Sequence, residues 1–174
     1  SVFNPGAVHW KGRDRLLLRV QSRGRETLLI WAERTGDGGE RWIVHRYVVE
    51  LQGIERQPLC AYHIYDPRLT ILEGDLYGVF AVDTDDGCRL AIGRCQDEAH
   101  FELVSFDPDG DRRNGVLFPE RIGGRYLRLQ RPNRPAKSGE PASGSMIELA
   151  ESDDLVSWRS AGPVIDGRWR YWDE

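Results

Sequence analysis

Short runs of β-branched and aromatic residues alternate with polar turn residues along almost the whole chain. Apolar residues at helical spacing persist nowhere beyond about two turns. Gly and Asp clusters fall between the apolar runs, at GDGG (36–39), DTDDG (83–87), DPDGD (107–111) and GG (123–124). This pattern predicts an all-β fold of short antiparallel strands joined by tight turns. The predicted strands are LLLRV (16–20), TLLIWAE (27–33), RWIVHRYVVEL (41–51), DLYGVFAVD (75–83), RLAIGRC (89–95), HFELVSF (100–106), RYLRLQR (125–131) and MIELAES (146–152).

Three segments share one arrangement, in which a polar turn with an aspartate leads into a strand that opens on an aromatic residue. They are WAERTGDGGERW (31–42), IGRCQDEAHF (92–101) and LAESDDLVSW (149–158). Their aspartates, Asp37, Asp97 and Asp153, lie 60 and then 56 residues apart. This period favours β-propeller blades of about four strands each. Chance similarity among Asp-rich hairpin turns is the alternative.

The composition fits one globular domain, and we predict that residues 1–174 form it. Charged residues make up 30% of the chain and hydrophobic residues 40%, with a net charge of -4. A negative net charge disfavours general nucleic-acid binding, and the absence of an apolar run near eighteen residues disfavours a membrane span. The cysteines are odd in number and lack metal-site spacing, so we predict neither a zinc site nor a disulfide framework. A reducing cytoplasm is the expected location.

Ionisable residues stand beside rigid or apolar neighbours at three places, where their side chains are held in position. These are Tyr65-Asp66-Pro67-Arg68, the Arg113-Asn114 pair before VLFP, and Arg131-Pro132. In a propeller, the polar side chains of inner strands gather at the central channel. By themselves, an Asp before Pro is commonly a turn former and the arginines are ordinary surface charges. No second ligand stands at metal spacing from His45, His63 or His100, so no metal site is predicted.

Five motifs, taken in order, resemble glycoside hydrolase family 130. They are NPGAV (4–8), YDPRLT (65–70), RNGVLFPERIGGRY (113–126), RP (131–132) and SDDLVSW (152–158), and they span essentially the whole chain. The family comprises β-mannoside phosphorylases and related mannosidases built on a five-bladed β-propeller. Its members are substantially longer, so the resemblance implies a partial propeller of about three blades whose C-terminal blades are missing. Because an open propeller exposes strand edges and half a core, we predict a homo-oligomer formed through the open edge.

The resemblance implies phosphorolysis of β-mannoside oligosaccharides with inversion, giving α-mannose 1-phosphate. An inverting glycosidase needs one carboxyl group as acid and another as base, whereas phosphate is itself an anionic nucleophile. Arginine forks bind such oxyanions well. Inorganic phosphate is therefore the expected co-substrate, and no cofactor is expected. The implied roles are Asp66 as catalytic acid, Arg113, Arg131 and Asn114 as phosphate ligands, and Tyr65, Asn4, Arg19 and Arg68 as substrate-binding residues. For Arg68, a structural role is expected ahead of a catalytic one.

The chain departs from the family pattern in several respects. Gln130 replaces a histidine that is common before the RP motif, and Asn114 stands where an Asp is common. Further phosphate and sugar ligands, including a lysine, a histidine and a second acid, belong to the missing C-terminal part. Two alternatives therefore stay open: a β-mannoside hydrolase of the same family, and a non-catalytic carbohydrate-binding or structural remnant. The sequence does not identify the leaving-group sugar, whose pocket we expect to include residues 133–145.

Overall fold

The computed structural model describes residues 1–36, 41–133 and 146–167. Within these ranges the chain forms three sheets in succession along the sequence, which we call blades 1 to 3. Blade 1 contains β1 (Val2–Trp10), β2 (Arg13–Gln21), β3 (Thr27–Arg34) and β4 (Trp42–Val44). Blade 2 contains β5 (Glu50–Gln52), β6 (Ala61–Leu72), β7 (Asp75–Thr84), β8 (Gly87–Cys95) and β9 (His100–Phe106). Blade 3 contains β10 (Arg112–Leu117), β11 (Tyr126–Pro132), β12 (Met146–Ser152) and β13 (Arg159–Asp166).

The prediction of an all-β partial propeller is confirmed. Each blade is an antiparallel meander in which neighbours in sequence are neighbours in the sheet, apart from the short strand β5. The first strand of each meander, β1, β6 or β10, contacts the corresponding strand of the adjacent blade. We call these three the inner strands, because the side chains near their beginnings meet across the blades.

The prediction of one strand over residues 41–51 is wrong. Residues 42–44 form the outer strand of blade 1, whereas β5 crosses to blade 2 and pairs with β9 in parallel. Blade 2 consequently has five strands, where four were expected. The two pieces differ in environment, because Trp42, Ile43 and Val44 are exposed while Val49 and Leu51 are buried. The β-branched composition is the same in both pieces, so strand propensity alone does not reveal the crossing.

The repeated hairpin predicted from the aspartates corresponds to the same turn in successive blades. Asp97 lies between the third and fourth strands of the blade 2 meander, and Asp153 lies at the equivalent turn of blade 3. In blade 3, however, the neighbouring Asp154 organises the turn by accepting hydrogen bonds from Val156 N and Ser157 N. Asp37, the first member of the repeat, lies outside the described residues.

Two apolar clusters join the blades. Between blades 1 and 2, Trp31 stacks on Phe101, which in turn meets Phe80 edge to face at centroid distances of 6.4 and 5.4 Å. Between blades 2 and 3, Leu90 and Leu117 are part of a second buried cluster. Burial of such side chains stabilises each interface by about 1.5–3 kcal/mol per large residue. The three blades are therefore fixed relative to one another by packing.

The outer faces of blades 1 and 3 carry apolar side chains that join no buried cluster of the described residues. We call these surfaces the two end faces. Strand pairing aligns their apolar side chains in rows across each blade. The rows are Leu16, Leu18, Ile30 and Val44 in blade 1, and Val116, Leu129, Leu149 and Ile165 in blade 3. Among the described residues, no helix has the length and apolarity needed to cross a membrane.

Candidate active site

Each inner strand contains a β-bulge at the same place, near its beginning. In each bulge, two residues of the inner strand lie opposite a single residue of the next strand, and a regular pair flanks the bulge on each side. The flanking pairs are Phe3↔Arg19 and Gly6↔Leu17, Tyr65↔Ala81 and Arg68↔Val79, and Arg113↔Arg131 and Val116↔Leu129. The first bulged residues, Asn4, Asp66 and Asn114, have φ angles of 45°, 49° and 57°. Three sites predicted from the sequence are thus equivalent positions of successive blades.

Asparagine and aspartate suit these bulges because their short polar side chains tolerate the left-handed region better than most residues. A non-glycine residue in that region still costs on the order of 1–3 kcal/mol, and such strain concentrates at functional sites. Bulges also redirect a side chain away from the regular alternation of the strand. The repeated bulge therefore accounts for the awkward Asp66-Pro67-Arg68 triplet inside a strand.

The Asp66 carboxylate is anchored by two residues of blade 1. Asn4 Nδ2 donates to both Asp66 oxygens at 3.1 Å, and Arg19 Nη1 donates to Oδ1 at 2.8 Å. The side chains of Arg19 and Asp66 are only 17% and 11% exposed. A charge-assisted bond in so sheltered a place is stronger than a surface ion pair. The site therefore spans the boundary between blades 1 and 2.

Arg19 is held between two aromatic rings. Its guanidinium carbon lies 4.4 Å from the ring centroid of Phe3 and 4.4 Å from that of Tyr65. Tyr65 is buried, and its hydroxyl group donates to Asp83 Oδ1 at 2.6 Å. Burial, followed by this hydrogen bond, raises the pKa of Tyr65, so its hydroxyl stays a proton donor at neutral pH. Tyr65 thus contributes here by positioning Arg19 beside Asp66.

Gly6 permits the close approach of the two bulged strands. A Cβ atom at this position would lie 2.8 Å from the carbonyl oxygen of Pro67 and 2.9 Å from Leu69 Cγ. Since backbone atoms cannot move aside cheaply, any larger residue would separate β1 from β6. The glycine of the NPG motif therefore brings Asn4 within hydrogen-bonding distance of Asp66.

Arg113 and Arg131 face each other across β10 and β11, and neither forms an ion pair with another described residue. They are directly paired positions, where like charges normally destabilise a sheet. Within residues 1–36, 41–133 and 146–167, neither forms an ion pair, and both Nε atoms are buried without a hydrogen-bond partner. Desolvation, and then the charge of Arg113, lower the pKa of Arg131, while Cys88, Tyr65 and Asp66 act in the opposite sense. Two half-buried cations beside an acid form a site suited to an anion.

The other predicted site residues have clear positions. Asn114 follows Arg113 on the blade 3 bulge, and the Arg68 guanidinium donates to the Pro67 carbonyl at 3.0 Å. Gln130 is buried and accepts hydrogen bonds from the Arg128 side chain, so it belongs to the blade 3 interior. Residues 134–145, expected at the leaving-group pocket, lie outside the described residues.

Sequence reasoning missed two residues that hold the site, Phe3 and Asp83. Phe3 had a detectable signal, because Phe3-Asn4-Pro5 repeats the pattern of Tyr65-Asp66-Pro67. Asp83 had none, since an acidic residue before a turn is unremarkable in sequence. The described part of the chain contains no group of three or more His, Cys, Asp or Glu side chains suited to a metal ion.

Curated relatives cover nearly all of this chain. The 4-O-β-D-mannosyl-D-glucose phosphorylase of Bacteroides fragilis is 29% identical over 171 residues, which is 90% of this chain and 42% of that protein. The β-1,4-mannooligosaccharide phosphorylase of Ruminococcus albus is 27% identical over 184 residues, covering 99% of this chain and 51% of the relative. The chain thus spans about half the length of these relatives. No family model matches the sequence.

Solved structures share the fold. The β-1,2-mannobiose phosphorylase of Listeria innocua, solved with β-1,2-mannobiose, superposes with a TM-score of 0.75 at 19% identity, covering 99% of this chain and 61% of that one. A structure reported for the GH130 family of mannoside phosphorylases superposes with a TM-score of 0.68 at 17% identity. The match covers 95% of this chain and 49% of that one. A thermostable family-43 glycoside hydrolase gives 0.68 at only 11% identity, covering 96% and 56%. Since the fold extends to that other family, the fold by itself does not specify the reaction.

Proposed function

We propose that this chain, which belongs to glycoside hydrolase family 130, carries the mannosyl- and phosphate-binding half of a β-mannoside phosphorylase active site. The observation that supports this best is the arginine pair, Arg113 and Arg131, which forms no ion pair with any described residue and lies near the anchored carboxylate of Asp66. An orphaned pair of guanidinium groups fits inorganic phosphate, which supplies both the charge and the acceptors that the arginines lack. The names of the curated relatives describe phosphorylases of β-mannosides.

The proposed reaction needs only one carboxyl group from the protein. Phosphate held by the arginines attacks the anomeric carbon of the mannosyl unit, and the bond from that carbon to the leaving oxygen breaks. In its protonated form, Asp66 supplies a proton that reaches the departing sugar through a sugar hydroxyl, and hydrogen phosphate returns a proton to the carboxylate that remains. The product is α-mannose 1-phosphate, because attack from the opposite face inverts the anomeric centre.

Arg19, Asn4 and Tyr65 position the acid and the sugar in this proposal. Arg19 and Asn4 of blade 1 donate hydrogen bonds to the Asp66 carboxylate, and the Tyr65 ring packs against the Arg19 guanidinium. Correct placement of reacting groups contributes several kcal/mol to catalysis. Arg68 has a structural role in this scheme, since its guanidinium donates to the Pro67 carbonyl beside the bulge.

The hydrolase alternative has less support. A water-using inverting enzyme needs a second carboxylate as general base, positioned across the sugar from the acid. Asp83, an acid beside Tyr65, already accepts a hydrogen bond from the Tyr65 hydroxyl. Two arginines that form no ion pair with a described residue can bind an anionic nucleophile such as phosphate. Water is neutral and does not require such a pair.

The remainder of the site is proposed to come from outside the three blades. We propose a homo-oligomer formed through the end faces, which supplies apolar cover and further ligands to the arginine pair. We also propose a cytoplasmic location, which the free thiols of Cys60, Cys88 and Cys95 support. No cofactor takes part in the proposed reaction, and phosphate is a co-substrate.

Phosphate titration tests the proposal directly. Isothermal calorimetry with the 174-residue chain should detect phosphate binding, and Arg113→Ala or Arg131→Ala should weaken it by about tenfold or more, since a hydrogen bond to a charged group is worth roughly 1.5–3 kcal/mol. Arg112→Ala is the matched control, because Arg112 is the residue next to Arg113 and its side chain donates to the Asp109 carbonyl. Equal effects of all three substitutions, or no phosphate binding at all, would contradict the proposal.

Turnover separates the three candidate functions. A β-1,4-linked mannosyl disaccharide should give sugar phosphate with phosphate present and no product without it. Release of free mannose at the same rate with and without phosphate would identify a hydrolase. Sugar binding with no product at high protein concentration would identify a non-catalytic carbohydrate-binding protein.

A further inference from the structure

A cavity adjoins the candidate active site. This groove, of about 720 Å³, lies between blades 1 and 2 and is bounded by the beginnings of β3 and β6 and by residues 48–56. Ile64, one of its lining residues, precedes Asp66 by two positions, which corresponds to about 7 Å along a strand. Leu29, another, is paired with Arg19. The groove therefore begins beside the groups that anchor the Asp66 carboxylate.

Tyr62 projects into this groove from a second bulge of β6. Ala61 pairs with Thr84 and His63 pairs with Asp83, so Tyr62 is an extra residue without a partner in β7. Tyr62 is 60% exposed and lines the cavity, so its ring is accessible to a ligand. Because a bulge redirects a side chain, the strand that positions Asp66 also presents an aromatic ring four residues earlier.

The remaining walls of the groove suit a neutral, hydroxyl-rich ligand. Val48, 41% exposed, adds apolar surface, while Gln52 and His63 offer donors and acceptors. The charges near its rim compensate each other in part, since Arg56 Nε lies 3.3 Å from Glu55 Oε1. The volume lies within the usual range of small-molecule sites, roughly 300–1,000 Å³. An aromatic face with neutral polar groups matches a pyranose ring better than it matches an anion.

We infer that this groove is a sugar subsite, in which Tyr62 stacks on a unit of the β-mannoside chain on the leaving-group side of the cleaved bond. The inference rests on the proposed function, because Asp66 defines where the cleaved bond lies. It assigns the acceptor chain to the boundary between blades 1 and 2, whereas the sequence pointed to residues 133–145. Longer substrates reach Tyr62, and a disaccharide at Asp66 is too short to fill the groove.

The test is the dependence of binding on chain length. Calorimetry of the 174-residue chain with β-1,4-mannobiose and β-1,4-mannotetraose gives the ratio of the two dissociation constants. We expect the tetraose to bind about tenfold tighter, and Tyr62→Ala to bring the ratio close to one, as expected when an aromatic stacking surface is lost. Tyr62→Phe should preserve the ratio, because the ring is retained. Trp42→Ala is the matched control, since Trp42 is a 40% exposed aromatic residue on the outer strand of blade 1.

The outcomes distinguish this inference from the proposed function. Equal affinity of the wild-type chain for both sugars, or an unchanged ratio in Tyr62→Ala, overturns the subsite even if mannobiose and phosphate bind. Tyr62-dependent binding of the tetraose without any binding of phosphate supports the subsite and contradicts the phosphorylase proposal.

Discussion

Tyr65 links the buried part of blade 2 to the candidate active site at Asp66. It donates to Asp83 at 2.6 Å, and the same ring carries the Arg19 guanidinium that binds Asp66. We expect Tyr65→Phe to lower the free energy of unfolding by about 1–2 kcal/mol, because it leaves Asp83 without its donor. We also expect weaker mannoside binding, because the ring and Arg19 are then less firmly held. Chemical denaturation and calorimetry measure the two effects.

A double-mutant cycle with Asp83→Ala checks the coupling between the two residues. If they act as a pair, the double variant should be little less stable than either single variant. Asp83→Asn retains an acceptor for the Tyr65 hydroxyl, so it should remain near the wild type in sugar affinity. Strictly additive losses would mean that Asp83 and Tyr65 stabilise the protein independently.

The proposed function requires the Asp66 carboxyl group for the chemistry, and we expect the fold to depend on it less. Asp66→Asn preserves the shape of the side chain and an acceptor for Asn4 and Arg19. We expect phosphate-dependent product formation to fall by about 10²–10⁴-fold, the range that general acid catalysis contributes. The melting temperature should change little. Asp75→Asn, at the opposite end of the same hairpin, is the control; a large loss of stability in Asp66→Asn with normal turnover would make Asp66 a turn residue.

At the scale of the elements, the turn between β12 and β13 depends on Asp154. Its Oδ1 accepts from Val156 N at 2.9 Å, Ser157 N at 2.8 Å and Ser152 Oγ at 3.0 Å. Asp153, the residue identified by the repeat, contacts the described residues Arg125 and Arg159 at the longer distances of 3.6 and 3.5 Å. We expect Asp154→Ala to lower the melting temperature by roughly 2–4 °C. Asp153→Ala, the matched control, should leave it nearly unchanged.

The same turn makes a small contribution to the pH dependence of stability. The backbone amides of Ser157 and Val156 lower the pKa of Asp154 from 3.8. A carboxyl group with a lowered folded-state pKa stabilises the fold above its unfolded pKa, and this contribution is lost as pH falls through the lowered value. The difference in unfolding free energy between the wild type and Asp154→Ala should therefore be constant above about pH 5. It should become smaller below pH 4. A gap that persists into strong acid would show that the charge is irrelevant to the turn.

Most elements could be predicted from the sequence because alternation and turn residues are local signals. The strand predicted at residues 75–83 is an example, since DTDDG ends it within one residue of the predicted place. The crossing between Val44 and Glu50 could not be predicted, because both pieces have strand-forming composition and no Gly or Pro separates them. The bulges were also hidden, because register depends on the partner strand. Asp66 was found through its family resemblance, whereas the contact with Asn4, 62 residues away, required the fold.

At the scale of the whole molecule, the candidate anion site opens on an apolar end face. Arg131 and Leu129 are two positions apart on β11, and their partners Arg113 and Val116 flank the bulge of β10, so all four share the outer face of blade 3. In blade 1, Arg19 occupies the position equivalent to Arg131 and reaches across to the bulge of blade 2. By this equivalence, Arg131 points to where a further blade or another copy would lie.

We therefore predict that phosphate binding and self-association promote each other. Two cations that form no ion pair among the described residues oppose the burial of the blade 3 end face. Bound phosphate removes this cost, so by linkage phosphate should increase the associated fraction. Light scattering should give a mass at least twice the 19.9 kDa of one chain, rising with phosphate relative to chloride at equal ionic strength. Arg131→Ala should abolish the phosphate dependence.

Ile30→Asp, on the blade 1 end face, should reduce association far more than Ile122→Asp, which alters an exposed isoleucine outside both end faces. A monomer at every concentration, with or without phosphate, would mean that the end faces do not bind another copy and would contradict the predicted linkage.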